Sequence, residues 1–316
     1  MPAFCLSIHA HYRCAHSGAC CHAGWPIPAE PALAGTVERG GLGPAWTAGR
    51  VFEEQPRPDG PLRVLRVQAD DACVFYERER RRCAVHRLAG HAVLPTPCRN
   101  FPRITLKDRR GTFITLSHFC PTAAALLYSA EPLAIVEAPA SLTLDGSVEG
   151  LDATGVLPPL LRPGMLMDAA GYTAWEEEAI AVLADGRHSA RAALDIIADA
   201  TRRIRGWEPG GDTLETRTRE AFECERQFAG SPEISALAAE DRATRAFLAA
   251  HLFASWHAYQ DGGLEAIVLA VEAALATLTL ERSRAPFIAA VRAADFQLRH
   301  SRADVGPRSL SSLRRH

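Results

Sequence analysis

The stretch Tyr12-Arg-Cys14-Ala-His16-Ser17-Gly18-Ala-Cys20-Cys21-His22-Ala-Gly-Trp25 constrains this chain more than any other, because it places three thiols within eight residues. Gly18 and the small Ala15 and Ala19 let the backbone curl until sulfurs six positions apart face one centre, which a strand or helix does not allow. That is the pattern of a metal-binding loop. Adjacent Cys20 and Cys21 would strain a single tetrahedral ion, so the pair points to two adjoining sites, a polynuclear cluster, or one ligand beside one non-ligand.

Further thiols come from later in the chain. Residues 62–68 read as a strand leading to Cys73 and Cys83, whose charged intervening segment predicts a hairpin with its exposed tip at residues 77–82 and both sulfurs at its base. Arg80-Arg-Arg82 reads as a solvated turn, or else as the rim of a site for an acidic partner. After a helical turn at residues 85–90, Leu94-Pro-Thr-Pro-Cys98 presents Cys98 on what two prolines should make an extended, rigid backbone. Residues 111–117 read as another strand, and Cys120-Pro121 opens a helix, with the thiol where a helix N-terminus favours the thiolate. Cys14, Cys20, Cys21, Cys73, Cys83, Cys98 and Cys120 are thus the candidate metal ligands. Cys5 and Cys224 are expected to lie outside the site, Cys224 as an ordinary core thiol.

Eight of the nine cysteines fall in the first 120 residues. The N-terminal sequence lacks a positive segment and apolar run of signal-peptide type, and the longest apolar run, residues 264–280, is broken by Glu265 and Glu272. A cytoplasmic protein with no membrane association is therefore expected, and in a reducing compartment such crowding argues for metal or redox chemistry over disulfides. Residues 1–130 carry 16 basic and 10 acidic side chains, and the remainder 19 and 27. Ionised thiolates would consume that basic excess, and no segment matches a nucleic-acid module, so no nucleic-acid partner is expected. Gly41-Leu-Gly43 is too short for a dinucleotide fingerprint and reads as a turn.

From about residue 151 the pattern turns helical, with apolar periodicity over residues 160–167, 175–183, 189–204, 234–260, 264–280 and 287–299. The expected architecture is α+β: a small cysteine-rich metal-binding module with short strands, residues 1–130, packed on an all-α helical bundle of five to seven helices, residues 131–300. A mobile tail, 301–316, follows. On the 242–260 helix, Phe247, His251 and Ser255 share one face. That face is either ordinary bundle core or the lining of a cleft toward the cysteines.

Cys14 with Cys20-Cys21, then Cys73 and Cys83, then Pro97-Cys98-Arg99-Asn-Phe-Pro102-Arg103, then Ser117-His-Phe-Cys120-Pro121-Thr-Ala-Ala, resembles the cysteine-cluster family described as a zinc- or iron-chelating domain. Within that family the chain is most similar to the flagellin lysine N-methylases, whose pattern has a cluster ending in Cys-Cys, a following Trp such as Trp25, and the later Cys-Arg and Cys-Pro stretches. The likeness covers roughly the first 130 residues and extends more loosely to Phe247-Leu-Ala-Ala-His-Leu-Phe253 and Gln297-Leu-Arg-His300. It implies an iron–sulfur cluster, with zinc as the alternative, and S-adenosylmethionine as donor of a methyl group to lysines exposed on a protein substrate. Arg99 and Arg103 would then hold the carboxylate of S-adenosylmethionine, or pair instead with thiolates or acidic helices.

There are departures. The family cluster is commonly Cys-x-x-Cys-x-x-Cys-Cys, whereas Ser17 stands here at the middle thiol, leaving His16 or His22 as substitutes. The spacing also differs from the Cys-x3-Cys-x2-Cys loop of radical enzymes that use S-adenosylmethionine. No strand, Gly-rich loop and helix would hold that cofactor in the Rossmann manner. A non-catalytic metal-binding or redox-sensing protein is the alternative reading, and a zinc-finger nucleic-acid binder the third.

Overall fold

A computed structural model describes residues 1–58, 60–143, 150–228, 239–260 and 262–300. The chain opens with β1 (Ala3–Leu6), α1 (Ser7–Ala10) and a 3-10 turn at Ala19–His22, then α2 (Pro31–Glu38), α3 (Ala48–Val51), β2 (Phe52–Gln55) and β3 (Leu62–Leu65). The hairpin β4 (Tyr76–Glu77) and β5 (Arg82–Cys83) leads into α4 (Ala84–Ala89) and α5 (Thr96–Asn100). There follow β6 (Arg103–Asp108), β7 (Gly111–Leu116), α6 (Pro121–Leu126), β8 (Ile135–Glu137), β9 (Gly150–Asp152), β10 (Leu160–Arg162) and β11 (Met165–Leu166). Six longer helices complete it: α7 (Ala169–Ala184), α8 (Ala190–Ile204), α9 (Leu214–Phe228), α10 (Ala239–Leu252), α11 (Leu264–Arg282) and α12 (Phe287–Arg299). The class is α+β, as expected, but residues 131–300 are not the expected all-α bundle: β8 and β9 from this part join the main sheet, and β10 pairs with β11. The expected tail, 301–316, and the first residues of the expected helix 234–260 lie outside the described residues.

A mixed five-stranded sheet, in the order β8-β1-β7-β6-β9, stands between the helices and the cysteine side. Alternation explains how one sheet serves both, since successive side chains point to opposite faces. Leu6, Leu106 and Phe113 pack with Trp175, Phe247 and Phe253 of the helical half, and Thr115 Oγ1 donates to the Ala250 carbonyl at 3.0 Å. Their neighbours Cys5, Ile114 and Leu116 face the other way, packing with Tyr12, Cys120 and Leu142. The main core thus crosses the sequence position, near residue 130, where the cysteine-rich and helical parts were expected to divide.

The cysteine-bearing segment also has a core of its own, from Ile27, Leu33, Val37, Val51, Phe52, Leu65, Phe75, Val85 and Leu94.

Three local expectations are corrected. Residues 160–167 form the β10–β11 hairpin instead of a helix, because Pro163 and Gly164, the latter at φ +80°, make a turn with proline first and a left-handed glycine second. Cys98 sits on α5, not on extended chain: the Glu30 carboxylate accepts from Thr96 N at 2.8 Å and Thr96 Oγ1 at 3.0 Å, satisfying donors of the first helical turn. The expected 234–260 helix ends at Leu252, and Ala254, at φ +56°, reverses the chain where its N–H donates to Glu176 Oε1 at 3.2 Å.

The sheet and helices share two buried polar clusters. In the first, Arg110 Nη1 lies 3.0 Å from Glu176 Oε2 and Nη2 lies 2.9 Å from Asp108 Oδ2, all three side chains being no more than 8 % exposed. Tyr259 adds a hydroxyl bond to Asp108 at 2.8 Å.

The second cluster centres on Asp295, which is fully buried beside Arg299 and His251. His251 Nε2 stands 3.2 Å from Asp295 Oδ1 without the alignment of a hydrogen bond. Burial lowers the His251 pKa from 6.5 to about 4, helped by Arg299 and opposed by Asp295. The unfolded chain therefore takes up the proton first, so stability is full above pH 6.5 and falls as pH drops toward 4. His251→Gln should flatten the wild-type slope of unfolding free energy over that interval, a difference of roughly 3 kcal/mol in denaturant titrations at stepped pH. Parallel slopes for the two proteins would exclude this role.

Candidate metal centre

Gly18 shapes the first loop. At φ +77° it adopts a conformation that L side chains rarely take, and a Cβ there would stand 2.7 Å from Tyr76 Cε2, so hairpin and loop meet over it. Cys21 N donates to Gly18 O at 2.9 Å, closing the turn that carries Cys20 and Cys21. Cys73 N then donates to Cys21 O at 2.6 Å, and the β4–β5 register pairs Tyr76 with Cys83. Loop and hairpin are thereby joined through backbone.

All seven candidate thiols line one cavity of about 180 Å³: Cys14, Cys20, Cys21, Cys73, Cys83, Cys98 and Cys120. Cys5, buried in β1, and Cys224, on α9, are not among its lining residues. Arg82, Arg99 and Arg103 line it too, with His16, His86 and His91, and among the described residues no Asp or Glu does. His16 comes from the first loop, its ring 5.0 Å from that of His86, which lies 5.9 Å from His91. His22 instead packs edge-on against Tyr76 and is not a lining residue. Of the two histidines proposed to replace the missing thiol, only His16 reaches the cavity. His86 and His91 were not singled out from the sequence, although His86 follows Cys83 by three positions on α4.

Within the cavity the Cys20, Cys21 and Cys83 thiols are close enough to influence one another's ionisation. Its neighbours and burial raise the Cys21 thiol, whereas the proximity of Cys21 lowers Cys20 and Cys83. Burial pushes Cys73 up to about 12, and raises Cys98 well above the ordinary thiol value. Cys120 is raised as well, correcting the expectation for a helix N-terminus: burial outweighs the amides of Ala123 and Thr122 that favour its thiolate. Crowded, desolvated thiols cannot all ionise without a counter-charge, and a bound cation displaces their protons.

Among the described residues, no group of three or more His, Cys, Asp or Glu side chains stands ready-made around a single ion. A lone zinc needs its sulfurs drawn to about 2.3 Å from one centre. Seven thiols lining one cavity, with arginines among them, are the donor type that a thiolate-bound metal takes.

Arg99 and Arg103 have other partners. Arg99 Nη2 donates to Thr96 Oγ1 at 2.9 Å, while Arg103 donates from Nε to Leu142 O at 2.7 Å and from Nη2 to Ser141 O at 3.1 Å. The expected alternative of a cleft along Phe247, His251 and Ser255 is not found. Phe247 and Ser255 are buried, and His251 belongs to the Asp295 cluster. A second cavity, about 40 Å³, lies at Asp108, Tyr172 and Tyr259 and contains no cysteine.

Compared with protein-family models, with curated proteins and with solved structures, the chain matches none. No helix among the described residues is long and apolar enough to cross a membrane.

Proposed function

We propose that this chain is a thiolate-ligated metal protein, holding an iron–sulfur cluster in preference to zinc, and that it acts as a protein-lysine N-methylase using S-adenosylmethionine. One observation carries the metal reading: seven thiols and three arginines, with no carboxylate among the described residues, line one cavity. The basic side chains compensate the negative charge of a thiolate-bound cluster. Cys20, Cys21, Cys73, Cys83 and Cys98 would supply its principal ligands, with Cys14, Cys120 and His16 at the margin.

The methylase reading rests on the resemblance of the cysteine pattern. Methyl transfer requires a neutral amine in line with a sulfonium methyl and surroundings that exclude water. In this chain Tyr12, Phe101 and Leu94 supply apolar wall beside the thiols, and Arg99, also in the lining, is the candidate to hold a carboxylate. The backbone bonds of Arg103 favour the alternative, a non-catalytic metal-binding or redox-sensing protein in which the arginines only brace the walls.

Calorimetric titration of anaerobically purified protein with S-adenosylmethionine separates the two. Saturable binding, followed by methyl transfer to a lysine-bearing protein, is expected of the methylase. Absence of binding by metal-replete protein would leave the non-catalytic reading.

A further inference from the structure

The loop that carries Cys120 is held by a helix from the far end of the sequence. Ser117 to Cys120 forms the turn between β7 and α6, with Cys120 N donating to Ser117 O at 3.4 Å. Three residues of α12, Arg292, Asp295 and Arg299, recur at spacings of three and four and so share one helix face. Asp295 Oδ2 accepts from Ser117 Oγ at 2.6 Å and from Phe119 N at 3.1 Å. Arg292 Nε donates to Phe119 O at 3.0 Å, so both backbone groups of Phe119 are bound by the helix. His300 adds a contact of 2.8 Å between its Nε2 and Ser117 Oγ.

The clamp is itself braced. Arg299 Nε donates to Asp295 Oδ1 at 3.1 Å while its Nη2 donates to Ala250 O at 3.0 Å, anchoring the carboxylate to α10. Asp295 is fully buried, and its two strongest contacts outside its own helix go to the residues just before Cys120. A buried carboxylate needs charge-assisted partners, but Arg299 alone could neutralise it. Committing its second oxygen to one four-residue turn fixes that turn's conformation, and with it the direction in which the Cys120 side chain leaves the backbone.

We infer that Asp295 is a positioning residue for the metal centre: through Ser117 and Phe119 it aims the Cys120 thiol into the cysteine-lined cavity. This rests on the metal reading above. It assigns the helical half a part in the site, which supplies none of the seven lining thiols itself.

The test uses the full-length protein as purified anaerobically, with Asp295→Asn and Ser117→Ala compared to wild type. Ser117→Ala leaves the Asp295–Arg299 pair intact and serves where Asp295→Asn fails to fold. Iodoacetamide labelling, mapped by mass spectrometry, reads each thiol separately. Labelling of Cys120 should quicken about 10-fold in the variants relative to Cys5, which is buried on the same side of the sheet. The metal-dependent visible absorption should shift or weaken in parallel. Unchanged Cys120 labelling, or Cys5 quickening in step with it, would overturn the inference, the latter by showing general loosening. If wild type holds no metal, the metal reading falls while selective labelling of Cys120 still decides whether Asp295 controls that thiol.

Discussion

Cys21→Ser should lower metal affinity on the order of 100-fold or more, because a hydroxyl, a poor ligand for soft metal centres, replaces a lining thiol that has Cys20 and Cys83 beside it. Metal per chain after gel filtration should fall, and the visible absorption of any cluster should be lost with it. Helical content should persist, since Cys21 belongs to none of the three apolar cores. Cys224→Ser, on α9 away from the cavity lining, should retain full metal content. Cys5→Ser provides a further contrast. It places a hydroxyl at a fully buried position of β1 and should reduce stability without reducing metal per folded chain. Equal metal loss in all three variants would contradict this distinction between site and core thiols.

Arg110→Met should reduce stability by roughly 3–5 kcal/mol, because it leaves the carboxylates of Asp108 and Glu176 buried without their cation. Burial already raises the Glu176 pKa despite Arg110, so the remaining carboxylate would be forced further toward its neutral form. The arginine also lies 4.0 Å from the centre of the Tyr172 ring and 4.3 Å from that of Phe113, contacts that methionine would partly preserve. A melting temperature lower by about 10 °C is expected for a chain of this size, with partial recovery when Glu176→Gln is added. A shift under about 2 °C would mean that the buried pair is worth no more than a surface one.

Local rules made much of the cysteine side legible. Gly18 signalled the curled loop, and the charged run between Cys73 and Cys83 signalled a hairpin, although its base pairs Cys83 with Tyr76 and leaves Cys73 outside, bridged to Val67 and bonded to Cys21 instead. Cys-Pro at 120–121 marked the start of α6 correctly. The central sheet was not legible in the same way. Its strand β1 is four residues long and pairs in parallel with β7, more than a hundred positions away, so its stability comes from tertiary contacts that no local pattern records. The Pro163-Gly164 turn, in contrast, was a readable signal obscured by the apolar residues on either side.

The site shows a similar division. The thiols were recognisable from their number and spacing, but His86 and His91 were not, because a histidine carries no periodic signature and its role depends on what it meets in space. Asp295 and Arg299 were equally hidden among the charged positions of an amphipathic helix. Their importance follows from burial against Ser117 and Ala250, which only the packing of α12 on the sheet and α10 reveals.

Metal and acid-labile sulfide analysis of anaerobically purified protein, with its visible absorption spectrum, tests the central claim most directly. Iron and sulfide in comparable amounts, with thiolate-to-iron absorption that bleaches on acidification, are the predicted result. Zinc without sulfide would retain the thiolate–metal centre and discard the iron–sulfur preference. A folded, metal-free chain with all nine thiols free, unable to take up iron or zinc, would contradict the account.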